Sequence, residues 1–323
     1  MLRMLTAVVG SVFMLAQTTY SAHAADTWPG RPIRWVVPFS PGGSTDITAR
    51  VLAEGLRPLL GQTVLVDNRP GAAGNIAAEL VAKSTPDGYT YLVSSATMAA
   101  NMSLYKNLRY DFMRDYAHVS QAFASSAVLV VHPSVPVANL AEFIAHVKSG
   151  KQTVNYGTAG HGSSQHLAAA LFNHMVAGNM VHVAYKGGAP AATALLSGEI
   201  NAIFAPLIEV LPHIRAGSIK ALAVCGTKRS ALLPNAPPIG DLLPGYQSSS
   251  WGGISAPAGT PAAIVNKLSA ALVKTLSQPT VKTHMAEADK EPVGSTPAEF
   301  TKFILADIER LRMQVKISGA KVD

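Results

Sequence analysis

Short apolar runs alternate along this chain with longer stretches in which apolar residues recur every three or four positions. The run at 33–38, IRWVVP, is followed by Ile47, Val51, Leu52, Leu56 and Leu59, and then by Gly61. A short continuous run predicts a buried strand, the spacing after it predicts a helix over 44–60, and the glycine is its stop. The alternation continues with strands at 64–67, 89–94, 127–132, 154–157, 180–184, 202–205, 219–225 and 251–257. Between them fall helices at 75–84, capped by Asn75, and at 139–150, 163–177, 190–197 and 208–216. Strand and helix in turn predict an α/β protein with largely parallel sheets. Two amphipathic helices, 261–277 and 297–317, close the chain without a further series of strands, so they are placed most simply back on the first domain. The expected organisation is a discontinuous first domain of 25–122 with 252–323, a second domain of 123–251, and a cleft between the two lobes. Clefts of that kind are usual ligand sites.

The first 24 residues fall outside this pattern. Arg3 precedes an apolar run from Leu5 to Leu15, and Ala22-His23-Ala24 has the small-x-small form that signal peptidase accepts. The run is shorter than the roughly 20 residues that span a bilayer. The segment reads as a cleaved export signal, which places the rest of the chain in the periplasm. Its removal takes Arg3 from a balance of 26 basic against 19 acidic residues.

Composition narrows the partners. Charged residues are 14% of the chain and hydrophobic ones 48%, which excludes a disordered or polyelectrolyte protein. The basic surplus of +7 is scattered, and only 7% of residues are aromatic, so no groove for nucleic acid is visible. Cys225 is the single cysteine, forms no internal disulfide, and sits in an apolar segment where burial is expected.

Two turns between strand and helix carry the candidate chemistry. The first is Pro38-Phe39-Ser40-Pro41-Gly42-Gly43-Ser44-Thr45-Asp46, and the second runs from Asn155 through Gly160-His161-Gly162-Ser163-Ser164-Gln165-His166. Glycines there let the backbone turn tightly with its amides uncovered, and hydroxyls at the helix start serve as caps or ligand contacts. A helix N-terminus has unpaired N–H groups and about half a positive charge, so each turn is a candidate cradle for a carboxylate or phosphate. Neither turn has a nucleotide-binding fingerprint. A serine hydrolase built on Ser163 or Ser164 lacks the G-x-S-x-G elbow, and His161 with His166 lacks the spacing of a metal site. Lys186 is either a cation of the cleft or a solvated loop residue.

Taken in order, these segments resemble the Bug-type periplasmic receptors of tripartite tricarboxylate transporters. The matching residues are 38–46, Asp67-Asn68-Arg69-Pro70-Gly71-Ala72-Ala73-Gly74, Asp87-Gly88-Tyr89-Thr90, and Tyr156-Gly157-Thr158-Ala159-Gly160, then Gly162-Ser163-Ser164 with His166-Leu167. Tyr185-Lys186-Gly187 and Trp251 with 256–261 complete the series. The resemblance implies a two-lobed fold of the type II periplasmic binding proteins and a non-enzymatic role. One carboxylate of a small organic acid would be held by backbone amides, hydroxyls and water. By position the ligand would meet Phe39, Ser40, Gly43, Ser44 and Asp46 from the first turn, with Asp46 as a cap or water-holder. The second turn would add Gly160, Ser163, Ser164, Gln165 and His166, joined by Tyr185 and Pro206. Thr97-Met98-Ala99-Ala100 and Ala205-Pro206 stand where cleft-lining loops are expected and are apolar here, and Asn201 stands where an acid is common. The expected function is capture of a small carboxylate for membrane transporter subunits, by a monomer with no cofactor and no metal. An exported sensor or scavenger of the same ligands, and the serine hydrolase, stay open as alternatives.

Overall fold

The computed structural model describes residues 28–318, and the leader expected at 1–24 lies outside them. The first half of the fold is built on β1 (Ile33–Val37), which pairs in parallel with β2 (Val64–Asn68) and β3 (Thr90–Ser95). Ile33, Trp35 and Val37 enter one buried cluster while Val36 enters another, because successive side chains of a strand face opposite ways. Helices cover both faces, which is why this strand reads as a continuous apolar run. Helix α1 (Ser44–Leu60) stops at Gly61, whose left-handed φ of 67° lets its amide return to the Arg57 carbonyl.

Two further helices follow in this half, α2 (Asn75–Ala82) and α3 (Ala96–Leu104). Asn75 does not cap α2; its Oδ1 accepts hydrogen bonds from Asn101 Nδ2 at 2.7 Å and from the Tyr110 hydroxyl at 2.8 Å. The segment 97–100, expected as a cleft-lining loop, is instead buried inside α3, and of its residues Thr97 borders the cavity described below. Burial on every side leaves α3 without an apolar stripe to recognise.

Strand β4 (Tyr116–Val131) crosses from one half to the other. Its first part, to Ser126, pairs antiparallel with β9 (Ser249–Pro257), and from Ala127 onward it pairs antiparallel with β7 (Ala202–Pro206). The largely parallel sheet expected from the alternation is therefore corrected to a mixed one. Only the last part of β4 was expected as a strand, because His118, Ser120 and Gln121 break the apolar pattern. Those side chains are buried but bonded, His118 Nδ1 lying 3.0 Å from Ser255 Oγ.

In the second half β5 (Asn155–Thr158) lies parallel between β6 (Val181–Ala184) and β7, and β8 (Lys220–Val224) pairs with the far end of β4. Its helices are α4 (Leu140–Ser149), α5 (Ser164–Met175), α6 (Gly188–Leu196) and α7 (Leu207–Arg215). Asn139 caps α4 by accepting from the Glu142 amide, and Gly150 ends it in the left-handed region, as the spacing predicts. Cys225 is a free, buried thiol.

The chain then returns to the first half through β9, α8 (Ala262–Leu276), α9 (Pro279–Glu287), β10 (Lys290–Pro292) and α10 (Pro297–Ser318). The short α9 and β10 carry no apolar pattern in the sequence, since α9 buries only Val281 and Met285, one turn apart. Each half thus has its own buried clusters, and β4 and β9 join them.

Candidate functional site

A cavity of about 70 Å³ lies where β4 changes partners. Phe123, Ser125, Ser126 and Ala127 of β4 form one side with residues 248–252 at the start of β9. The first turn contributes Phe39, Gly43, Ser44 and Thr45, the second Ala159, Ser163, Ser164 and Gln165, and the third element is Gly188 at the start of α6. Pro206 and Glu209, on either side of the β7 to α7 junction, close it. Ser95 and Thr97 add the start of α3, so five helix starts, those of α1, α3, α5, α6 and α7, converge on one space from both halves.

The second turn is rigid by construction. Ser163 caps α5 by accepting from the His166 amide at 3.2 Å, and Gly162, at φ 81°, donates its amide to His166 Nδ1 at 3.0 Å. The Ser164 and Gln165 amides, at the first two helical positions, keep no backbone partner among the described residues. The first turn is braced by Asp46, whose carboxylate accepts from the Gly42 amide at 2.9 Å, from Asn68 Nδ2 at 3.0 Å and from Arg50. Burial alone would raise the Asp46 pKa, but hydrogen bonds from Arg50, Gly42 and Asn68 outweigh it and hold the carboxyl below its usual value.

Glu209 was not foreseen. Its Oε1 accepts from the Ser44 amide across the gap between the halves at 2.7 Å, and Gln165 Nε2 reaches its Oε2 at 3.4 Å. The carboxylate abuts Gly188 so closely that a Cβ there would collide with both of its oxygens. Burial pushes the Glu209 carboxyl up to about 7, against the pull of the Ser44 amide, Lys290 and Gln165. Among the described residues no lysine or arginine lines the cavity. Lys290 stands behind the wall, its ammonium bonded to the Ser44 carbonyl at 3.2 Å and to Thr48 Oγ1 and lying over the Phe123 ring. Burial lowers the Lys290 pKa to about 7, with Glu209 opposing.

A carboxyl raised from 4.5 to about 7 binds its proton more tightly when folded, so its contribution to stability is full below pH 4.5 and lost as pH rises through 7. Glu209→Gln keeps an acceptor for the Ser44 amide and removes that loss. The variant is expected to be more stable than the parent above pH 7, by less than the Glu209 shift alone would give because Lys290 loses the charge that opposes its own burial, and equal to it below pH 4.5. Urea unfolding at the two pH values checks this, and a gain independent of pH would contradict it.

His166 is placed away from the cavity. Its ring stacks on His182 with centroids 4.1 Å apart, and His161 packs edge-on against both. Among the described residues no group of histidine, cysteine or acidic side chains is arranged to hold a metal ion. Burial, helped by the neighbouring rings, lowers His166 to about 4 and His182 to about 3, and burial alone lowers His118 to about 4. Between pH 6.5 and those values the unfolded chain binds more protons than the folded one, so stability is full above 6.5 and lost as pH falls. Three such groups imply a loss of several kcal/mol between about pH 7 and pH 4.5. Denaturant melts across that range measure it, and His182→Gln should flatten the slope; a parent profile already flat would refute it.

The other expected site residues divide. Phe39, Gly43, Ser44, Ser163, Ser164, Gln165 and Pro206 line the cavity. Gly160 and Tyr185 line a second space between the halves, with His161 and Lys186, and Phe39 borders both spaces. Ser40 ties the halves together, its amide and hydroxyl both donating to the Lys186 carbonyl, at 3.3 and 2.7 Å. The Lys186 side chain is exposed.

The family model described as the tripartite tricarboxylate transporter family receptor matches residues 48–319. The chain belongs to that receptor family. Protein BugT of Bordetella pertussis is 37% identical over 321 residues, 98% of each chain. Among solved structures, the R. palustris protein Rpa4515 with adipate has a TM-score of 0.88 at 34% identity, covering 91% of this chain and 100% of that one. MatC from Rhodopseudomonas palustris with bound malate has a TM-score of 0.85 at 30% identity, covering 89% of this chain and 100% of the other. The periplasmic binding protein BugD, with a TM-score of 0.88 at 31% identity over 91% of this chain and 99% of that one, shares the receptor's two-lobed α/β architecture. Among its described residues no helix is long and apolar enough to cross a membrane.

Proposed function

We propose that this receptor captures a small organic carboxylate between its halves and hands it to the membrane subunits of a tripartite tricarboxylate-type transporter. The observation that carries this reading is the start of α5, where the Ser164 and Gln165 amides border a cavity that no lysine or arginine lines. Main-chain donors at a helix start hold a carboxylate without a side-chain cation. Adipate and malate in two related structures support the ligand class.

Delivery rests on different affinities for open and closed states. Opening would break the Ser40 to Lys186 and Ser44 to Glu209 bonds, and the cavity would part along β4 and β9. The lobes in this proposal are 25–122 with 252–323, and 123–251, with export directed by residues 1–24. The protein works as a periplasmic monomer and catalyses no reaction; the Ser163 hydroxyl is engaged as a helix cap.

A thermal-shift screen over mono-, di- and aromatic carboxylates tests the ligand class. At least one acid should raise the melting temperature in proportion to the logarithm of its concentration above Kd. A response to a neutral sugar with none to any carboxylate would overturn the reading. Loss of uptake of the responding acid on deletion of the gene tests delivery.

A further inference from the structure

The cavity already contains a carboxyl group of its own. Glu209 lies against the start of α1 through the Ser44 amide and against Gly188 at the start of α6, the places where a ligand carboxylate would otherwise sit. Beside it Gln165, 5% exposed, lines the same cavity with an Oε1 that accepts from no group. A buried acceptor without a donor costs roughly 1–3 kcal/mol, and a buried carboxylate without a cation costs more. Lys290, the cation that acts on Glu209, is spent on the Ser44 carbonyl and Thr48 Oγ1 and does not line the cavity. The unmet requirement at this end of the cavity is for a group that carries positive charge and several N–H donors.

Resting on the carboxylate reading above, we infer that the ligand is an amino acid in the broad sense, whose carboxylate takes the α5 amides and whose ammonium is bound by Glu209 and Gln165 Oε1. Gln165 spans the two subsites, its own amide at the helix start and its side chain beside the Glu209 carboxylate. An ammonium supplies three donors, enough for the Glu209 carboxylate and the unpartnered Gln165 oxygen together. A plain dicarboxylate would instead set a second negative charge against the buried Glu209 carboxylate, where repulsion is strong. Glu209 is thus a specificity-determining residue that turns the cradle at α1 from an anion site into a cation site.

Calorimetric titration with matched pairs tests this at about pH 8, where Glu209 is ionised. The pairs are L-aspartate against malate and 2-aminoadipate against adipate, each differing at one carbon. For at least one pair the amino member should bind 10-fold or more tightly than its partner, as a charge-assisted hydrogen bond predicts. Glu209→Gln should reduce that ratio to within about threefold while the protein still melts cooperatively, and Glu209→Ser should do the same. Plain acids that bind the parent as tightly as the amino acids would overturn the inference and leave the carboxylate reading standing. So would a preference that survives both substitutions. Binding of neither series would overturn both readings.

Discussion

Ser164→Pro should weaken ligand binding by roughly 10- to 100-fold and leave the fold nearly untouched. Ser164 is the first residue of α5, where the amide has no helical acceptor and proline is favoured. Its predecessor, Ser163, has φ −61° and ψ 156°, the extended conformation that a following proline demands. The substitution therefore deletes one N–H from the cradle and little else. A hydrogen bond to a charged group contributes roughly 1.5–3 kcal/mol, which sets the size of the loss. Calorimetry and a melt on the same sample separate the two effects. An unchanged Kd would mean that the carboxylate is not held by this helix start. Ser164→Ala should cost far less, because the hydroxyl is not the group on which recognition depends.

Trp251→Ala should remove roughly 3–5 kcal/mol of stability, among the largest effects available to a single substitution in this chain. Trp251 is 3% exposed, meets Phe300 edge-on at 5.4 Å, and donates from Nε1 to Asp307 Oδ2 at 2.7 Å. Truncation empties that volume and takes a donor from a buried carboxylate. Asp307 keeps Arg310, so Trp251→Phe should cost about half as much. The ring also borders the cavity, and the alanine variant should lose ligand affinity in addition. Urea unfolding with a loss under about 1 kcal/mol for the alanine variant would contradict this packing role.

Local signals in the chain identify whatever is locally determined. The segment from β1 to Gly61, and α4 between Asn139 and Gly150, follow from apolar spacing, a cap and a left-handed glycine, all within a few residues of one another. The two turns were legible for the same reason, since a helix start declares its own unpaired amides. The length of β4 was not, because polar His118 and Ser120 belong to a strand only through distant partners on β9. Glu209 was hidden more deeply. An acid in the first turn of a helix ordinarily complements the helix dipole, and nothing near it in sequence speaks otherwise. Its partners, Ser44 and Gln165, lie 165 and 44 positions away. The serines at 248–250 and at 125–126 likewise became cavity walls only once β4 and β9 were paired. His166 misled in the opposite sense, being adjacent in sequence to the α5 start yet turned toward His182.

The central claim is that main-chain amides at a helix start hold a ligand carboxylate between the two halves. A crystal structure of the receptor with its best-binding acid tests it most directly. The account predicts a carboxylate within about 3 Å of the Ser164 and Gln165 amides, in the cavity beside Trp251 and Glu209. A ligand seated outside that cavity, or a carboxylate paired with a lysine or arginine side chain instead of those amides, would contradict it.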